Sequence, residues 1–288
     1  MRPIIKLIRP KHWIKNLFLL IPVFFAGSLF QIERLELLGL GVVSFCLIAS
    51  AVYIINDLKD IEVDRIHPLK RDRPLASGTV SKSKAILLLF TFILVGLSLS
   101  YWLNPIFFYL ICVYLVLNVA YSLGLKNISI VDLFIVSLGF LIRIYSGGIL
   151  AGVEVSHWLA IMILLLSLFL VLAKRRDDIV LQVKSQAVIR KTSSSYNLEF
   201  VNACLTIFAA VIVVSYIMYT VSPEVVDRFN SPYLFATTPF VIAGIMRYLQ
   251  ITIVEMNSGS PTSILVKDKF ILTTIILWII SFYLIIYN

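Results

Sequence analysis

Three aspartates, Asp57, Asp60 and Asp64, lie in the stretch Asn56-Asp-Leu-Lys-Asp-Ile-Glu-Val-Asp64. Spaced by three and then four, they fall within roughly 60° of one face on a helix turning about 100° per residue. Carboxylates so arranged repel one another unless a cation joins them. Donors that are all oxygen, without His or Cys, suit a hard ion such as Mg²⁺, which takes one or two carboxylates and adds substrate phosphates to its shell. Asn56 can add its amide oxygen. A solvated acidic helix end beside basic residues has the same spacing. The segment that follows, His67-Pro-Leu-Lys70-Arg71-Asp-Arg73-Pro-Leu-Ala-Ser77-Gly78, argues for more. Together with Arg65 it sets four cations among proline and glycine directly after the acids. Metal ligands beside cations that suit phosphate read as a diphosphate site. For Lys70 and Arg71, anchoring at an anionic membrane surface is the other reading.

A second constellation, Lys174-Arg175-Arg176-Asp177-Asp178, offers three cations and then two acids. It suits one end of a polyphosphate and a further metal ligand. A stop-transfer cluster explains the cations equally well but not the acids, which contribute little to topology. Tyr121, Lys126 and Asp132 stand between the two clusters. Arg143 lies inside an apolar run, where an arginine must face protein or a water-filled cavity. It is a candidate substrate contact, or else a structural partner for a buried acid or carbonyl. The cysteines Cys46, Cys112 and Cys204 sit in apolar runs and read as small hydrophobes. The histidines His12, His67 and His157 form neither a metal triad nor a catalytic base. The polar stretch Asn257–Thr262 with Lys267, Asp268 and Lys269 reads as a connection.

The elements that must hold these residues are membrane helices. Of 288 residues, 60% are apolar or aromatic and 14% charged, against about 25% charged in soluble domains. That excludes a soluble domain, a disulfide scaffold and a disordered chain. Nine apolar segments are expected, over about 16–32, 37–55, 85–103, 106–122, 130–152, 156–173, 200–221, 232–250 and 270–287. Each is near the roughly 20 residues that cross a bilayer. With nine crossings, 22 Lys and Arg fall on the side of the N-terminus and two, Arg34 and Arg228, on the other. The positive-inside rule then makes the N-terminus cytoplasmic. The net charge of +9 is thereby mainly a topology signal and needs no nucleic acid. One domain over 1–288 is expected, with cytoplasmic loops at about 56–84 and 174–199 carrying the polar site.

Asn56, Asp57, Asp60 and Asp64 complete the pattern N-D-x-x-D-x-x-x-D, and Arg73, Pro74 and Gly78 continue it as R-P-x-x-x-G. On these motifs the whole chain resembles the UbiA superfamily of intramembrane prenyltransferases. Tyr121 and Lys126 match a Y-x-x-x-K element only loosely. The D-x-x-x-D signature usual on the sixth helix is replaced by Lys174-Arg175-Arg176-Asp177-Asp178. That replacement, the opening Arg9-Pro-Lys-His-Trp-Ile-Lys-Asn16 and the Asp64-Arg-Ile-His-Pro68 link look like the phosphoribosyltransferase branch of the superfamily.

The resemblance implies an all-α integral membrane protein of nine helices around a lipid-open cavity. It implies Mg²⁺-dependent transfer of a phosphoribosyl group from phosphoribosyl diphosphate to a polyprenyl phosphate. By motif, Asp57, Asp60 and Asp64 are the catalytic acids and, with Asn56, the metal ligands. Lys15, Asn56, Lys70, Arg73, Tyr121, Lys126, Arg143, Lys174, Arg175 and Asp178 are the candidate substrate contacts. The partners expected are the two substrates and the bilayer, with a homo-oligomer allowed for and nucleic acid excluded. The rival within the superfamily moves a prenyl group from prenyl diphosphate to an aromatic acceptor. The rival outside it is a transporter, which would spread polar residues through many spans and show clearer repeats.

Overall fold

The computed structural model describes residues 2–28, 31–66, 70–185, 195–256, 264 and 267–287. Its elements are helical throughout: α1 (Arg2–Ile8), a 3₁₀ helix (Pro10–Leu20), α2 (Ile21–Phe25), α3 (Ile32–Lys59), α4 (Ile61–Ile66), α5 (Lys82–Leu103), α6 (Pro105–Leu123), α7 (Val131–Ala151), α8 (His157–Ser185), α9 (Leu198–Val221), α10 (Pro223–Phe229), α11 (Thr238–Leu249) and α12 (Lys269–Tyr287). A five-residue π turn, Gln250–Val254, extends α11. Among the described residues, eight helices are long and apolar enough to cross a membrane. They match eight of the nine expected spans. The His67-Pro68 link, residues 186–194 of the second loop and residues 257–263 lie outside the described residues.

Local signals set the boundaries. Asn104 caps α6, its Oδ1 accepting the N–H groups of Ile106 (2.8 Å) and Phe107 (3.1 Å) just before Pro105. Ser81 and Asn197 cap α5 and α9 in the same way. Such caps supply acceptors to first-turn N–H groups that have no partner within the helix.

The exception is the segment expected to span 16–32. It is broken into the 3₁₀ helix and α2, which ends in a Schellman turn. There Gly27, at φ 68°, donates to the Phe24 carbonyl, and Ser28 donates to that of Val23. The 3₁₀ form follows from packing. Trp13, Asn16 and Leu19 lie three apart and stack on one face, and Asn16 and Leu19 are fully buried. Trp13 donates to Ser50 Oγ at 3.1 Å, and Asn16 donates to Cys46 Sγ at 3.1 Å. These α3 partners are four apart and run backwards. Three 3₁₀ residues rise about 6.0 Å, as do four α-helical ones, so the two rows stay in register. Leu19 reaches α7 as well, where a Cβ on Gly147 would overlap its carbonyl oxygen.

The chain divides into two compact units. One comprises residues 1–126 and 139–155, the other residues 127–138 and 156–288. In the first, Phe45, Ile48, Phe107 and Ile111 centre one apolar cluster. Leu7, Ile54, Ile61, Leu75, Val80 and Ala85 form another beneath the acidic segment. In the second, α8 and α9 pack through Leu168, Phe169, Leu172, Val201 and Leu205.

Candidate active site

At 28 residues, α3 is about 42 Å long, some 12 Å more than a hydrocarbon core. Asn56 and Asp57 lie in the last turn of α3. The helix does not run on through Asp64, the condition under which the three acids would share one face. It stops at Lys59, and Asp60 (φ −96°, ψ 9°) joins it to α4. Past this break Asp57 and Asp64 share one cation, Arg73, while Asp60 meets another, Lys126.

Asp57 is held twice: its Oδ1 accepts Arg9 Nη2 at 2.6 Å and Arg73 Nη1 at 3.2 Å. The same Arg73 nitrogen lies 2.6 Å from Asp64 Oδ2. Asp60 binds Lys126 Nζ through both oxygens, at 2.8 and 2.7 Å, and Asn56 Oδ1 stands 3.5 Å from that ammonium. The side chains of Asp57 and Asp64 are only 1% and 2% exposed. Three carboxylates thus meet three cations, which cancels the repulsion that their spacing implies.

A tight turn positions Arg73. Its carbonyl accepts the Ser77 N–H and hydroxyl, both at 2.9 Å. Val80 donates to the Pro74 carbonyl at 3.0 Å. Gly78, at φ 74°, takes the left-handed conformation that only glycine adopts freely. Leu75, Ala76 and Val80 anchor the turn by burial.

Arg9 belongs to the opening segment and stands outside the site residues that the sequence motifs mark. Its partner lies 48 residues away, so no local spacing separates it from Lys6 or Lys11. The one local sign is that it precedes a proline. Its guanidinium carbon also sits 4.9 Å from the centre of the Tyr53 ring, a cation–π distance.

Among the described residues, no three of His, Cys, Asp and Glu are gathered to hold a metal ion. The donor set nevertheless suits one. Asp57 Oδ2 and Asp64 Oδ1 are buried and have no hydrogen-bond partner, a costly state for carboxylate oxygens. Two bare carboxylate oxygens are what a hard divalent ion takes when phosphate oxygens complete its shell.

The other expected residues fall elsewhere. Lys15, Lys70 and Tyr121 are half-buried in the first unit. Arg143 is enclosed by protein: Nε donates to Asn16 Oδ1 (2.9 Å), Nη1 to the Gly139 carbonyl (2.7 Å) and Nη2 to the Tyr114 hydroxyl (3.0 Å). Phe45, Tyr114 and Phe140 surround it. In the second unit, Lys174 is exposed on α8. Arg175 is buried, donating to Asp132 at 2.9 Å and Asp178 at 3.2 Å. Tyr196 donates to Asp132 at 3.2 Å and accepts the N–H of Ile130. Burial pushes the Tyr196 hydroxyl up from its ordinary value, so it stays protonated as a donor at neutral pH. It steadies Ile130, a β-branched residue at φ 68°, a conformation such residues rarely take. Arg176 donates to the carbonyls of Thr252 and Ile253 in the π turn.

Comparison with known proteins matches the family model described as UbiA prenyltransferase family over residues 17–258. The chain is 35% identical to the decaprenyl-phosphate phosphoribosyltransferase of Mycolicibacterium smegmatis, covering 96% of this chain and 90% of that one. It is 31% identical to the Mycobacterium tuberculosis protein of the same name, covering 96% and 91%. The fold is similar to that of a UbiA homologue from Archaeoglobus fulgidus solved with DMAPP and Mg²⁺, with a TM-score of 0.72 and 21% identity over 98% of both chains. The acid motif, the apolar helices and these full-length matches agree: the chain is a multi-pass membrane protein and a transferase belonging to the UbiA prenyltransferase family.

Proposed function

We propose that this protein transfers a 5-phosphoribosyl group from phosphoribosyl diphosphate to a polyprenyl phosphate, releasing diphosphate, at the cytoplasmic face of the cell membrane. The observation that carries the reading is the Arg73 nitrogen bridging two buried carboxylates, each of which keeps a bare oxygen. Such a cluster accepts a divalent ion and a diphosphate together. The choice of sugar donor and lipid acceptor rests on the full-length relatives named decaprenyl-phosphate phosphoribosyltransferase.

Asp57 and Asp64 would hold Mg²⁺ through the bare oxygens. When bound, the ion neutralises charge on the leaving diphosphate. Arg73 and Lys126 orient the diphosphate and donate to its oxygens as the bond to the anomeric carbon breaks. A phosphate oxygen of the lipid forms the new bond to that carbon from the opposite side, through an oxocarbenium-like transition state. That phosphate is anionic near neutral pH, so no strong base is required. Asp60 holds Lys126 in place until diphosphate arrives.

The orientation belongs to the same proposal. The 11-residue 3₁₀ helix and the five residues of α2 rise together about 29 Å, the thickness of a hydrocarbon core. The pairs Arg9–Asp57, Trp13–Ser50 and Asn16–Cys46 lay the segment antiparallel along α3. It serves as the ninth crossing. Without it the Lys and Arg distribution would fall from 22 against two to 17 against seven, a weaker positive-inside asymmetry.

Purified protein given radiolabelled phosphoribosyl diphosphate, Mg²⁺ and polyprenyl phosphate should yield a labelled lipid. No labelled lipid, with prenylation of an aromatic acceptor from prenyl diphosphate instead, overturns the assignment.

A further inference from the structure

The cations on the acid cluster differ in how firmly they are held. Arg73 bridges two carboxylates through one nitrogen, and its backbone lies in the hydrogen-bonded turn of residues 70–80. Arg9 reaches a single oxygen of a single acid, Asp57 Oδ1. Its backbone sits at φ 54°, ψ 60°, in the left-handed region, immediately before Pro10. A non-glycine residue there is strained, and a following proline pushes its neighbour toward extended conformations instead. The ion pair at 2.6 Å and the Tyr53 ring hold Arg9 against that strain. On the far side of the same carboxylate, Asp57 Oδ2 is buried without a partner.

We infer that Arg9 is an exchangeable counter-ion: it occupies Asp57 while the site is empty and leaves for a diphosphate oxygen once a divalent ion engages Asp57. The inference deepens the proposed function and rests on its metal–diphosphate site, not on the identity of the sugar donor. Charge balance drives the exchange. Three acids and three cations form a neutral set, so a dication arriving alone must compete with cations that already balance each carboxylate. A diphosphate brings the negative charge that lets a cation change partner. Arg9 is the one to move because moving releases its backbone strain and breaks one ion pair, with Asp57 still held by Arg73, whereas moving Arg73 would break two ion pairs and leave buried Asp64 without the one cation found beside it among the described residues. Arg9 is a positioning residue in the empty site and a binding residue in the loaded one.

The test uses full-length protein in nanodiscs, with Mn²⁺ as a spectroscopic stand-in for Mg²⁺ and inorganic pyrophosphate as the anion. Arg9→Gln should bind Mn²⁺ about tenfold more tightly than wild type in the absence of pyrophosphate, since the nearer of the two cations on Asp57 no longer competes for it. At saturating Mn²⁺ it should bind pyrophosphate about tenfold more weakly, having lost a donor. Arg9→Lys keeps the charge but shortens the reach, and should shift both affinities the same way by smaller factors. It carries the test alone if Arg9→Gln does not fold. A static structural pair would weaken both ligands together. Unchanged or weaker Mn²⁺ binding in the variants, or unchanged pyrophosphate binding, overturns the exchange. Wild-type protein that binds no Mn²⁺ even with pyrophosphate overturns the metal site itself, and the exchange with it.

Discussion

Replacing Arg73 with Gln tests how the acid cluster is held together. The side chains of Asp57 and Asp64 are 1% and 2% exposed and that of Arg73 25%. Asp57 would keep Arg9, while Asp64 would lose the only cation found beside it among the described residues. Removing one partner of a buried pair costs about 3–5 kcal/mol, because an uncompensated charge stays behind. Arg73 is partly solvated, so the lower end, about 3 kcal/mol, is expected. At about 2–4 °C per kcal/mol for a chain of somewhat smaller size, that lowers the unfolding midpoint by roughly 6–12 °C. Thermal unfolding in detergent, followed by tryptophan fluorescence, reads the shift. The double variant Arg73→Gln/Asp64→Asn removes both charges and should regain about 2 kcal/mol of the loss, without regaining transfer, since the metal-facing oxygen loses its charge. A single variant within about 0.5 kcal/mol of wild type, or a double variant no more stable than the single, would refute the bridging role.

Asp60→Asn leaves Lys126 without its carboxylate partner and should lower turnover sharply and weaken metal-dependent pyrophosphate binding by calorimetry. Its stability should fall by no more than about 1 kcal/mol, because the pair with Lys126 is partly exposed. A fully active enzyme would count against Asp60 in the site. EDTA should stop transfer to the lipid, and added Mg²⁺ should restore it; transfer that persists in chelator speaks against the metal. Gly147→Ala drives a methyl into the Leu19 carbonyl and should cost about 3 kcal/mol or more, seen as a sharp loss of folded protein in membranes. Tyr196→Phe leaves the Ile130 N–H without its acceptor and removes a donor to Asp132. It should cost about 1–3 kcal/mol in thermal unfolding, and an unchanged midpoint would show that the strained turn does not depend on the hydroxyl.

Sequence alone determined what solvent and helix period impose. Continuous apolar runs permit only membrane helices, because backbone groups in lipid must bond within their own segment. Seven of the expected spans stand as single α-helices, and an eighth, Pro232–Val254, as 3₁₀, α and π turns in succession. The acid motif and its neighbouring cations were also legible, since they are close in the chain. What only the tertiary structure decided were pairings across long separations. Arg9 finds Asp57 across 48 residues and Lys126 finds Asp60 across 66. Arg143 is satisfied by Asn16 from 127 residues away, and Arg175 by Asp132 from 43. The 3₁₀ course of Pro10–Leu20 is of the same kind, because its period of three is set by the α3 surface it lies against. Residue order records composition and the period of each face, but it does not record which face of one helix meets which face of another. Packing of side-chain volumes settles that, and with it the partner of each buried charge.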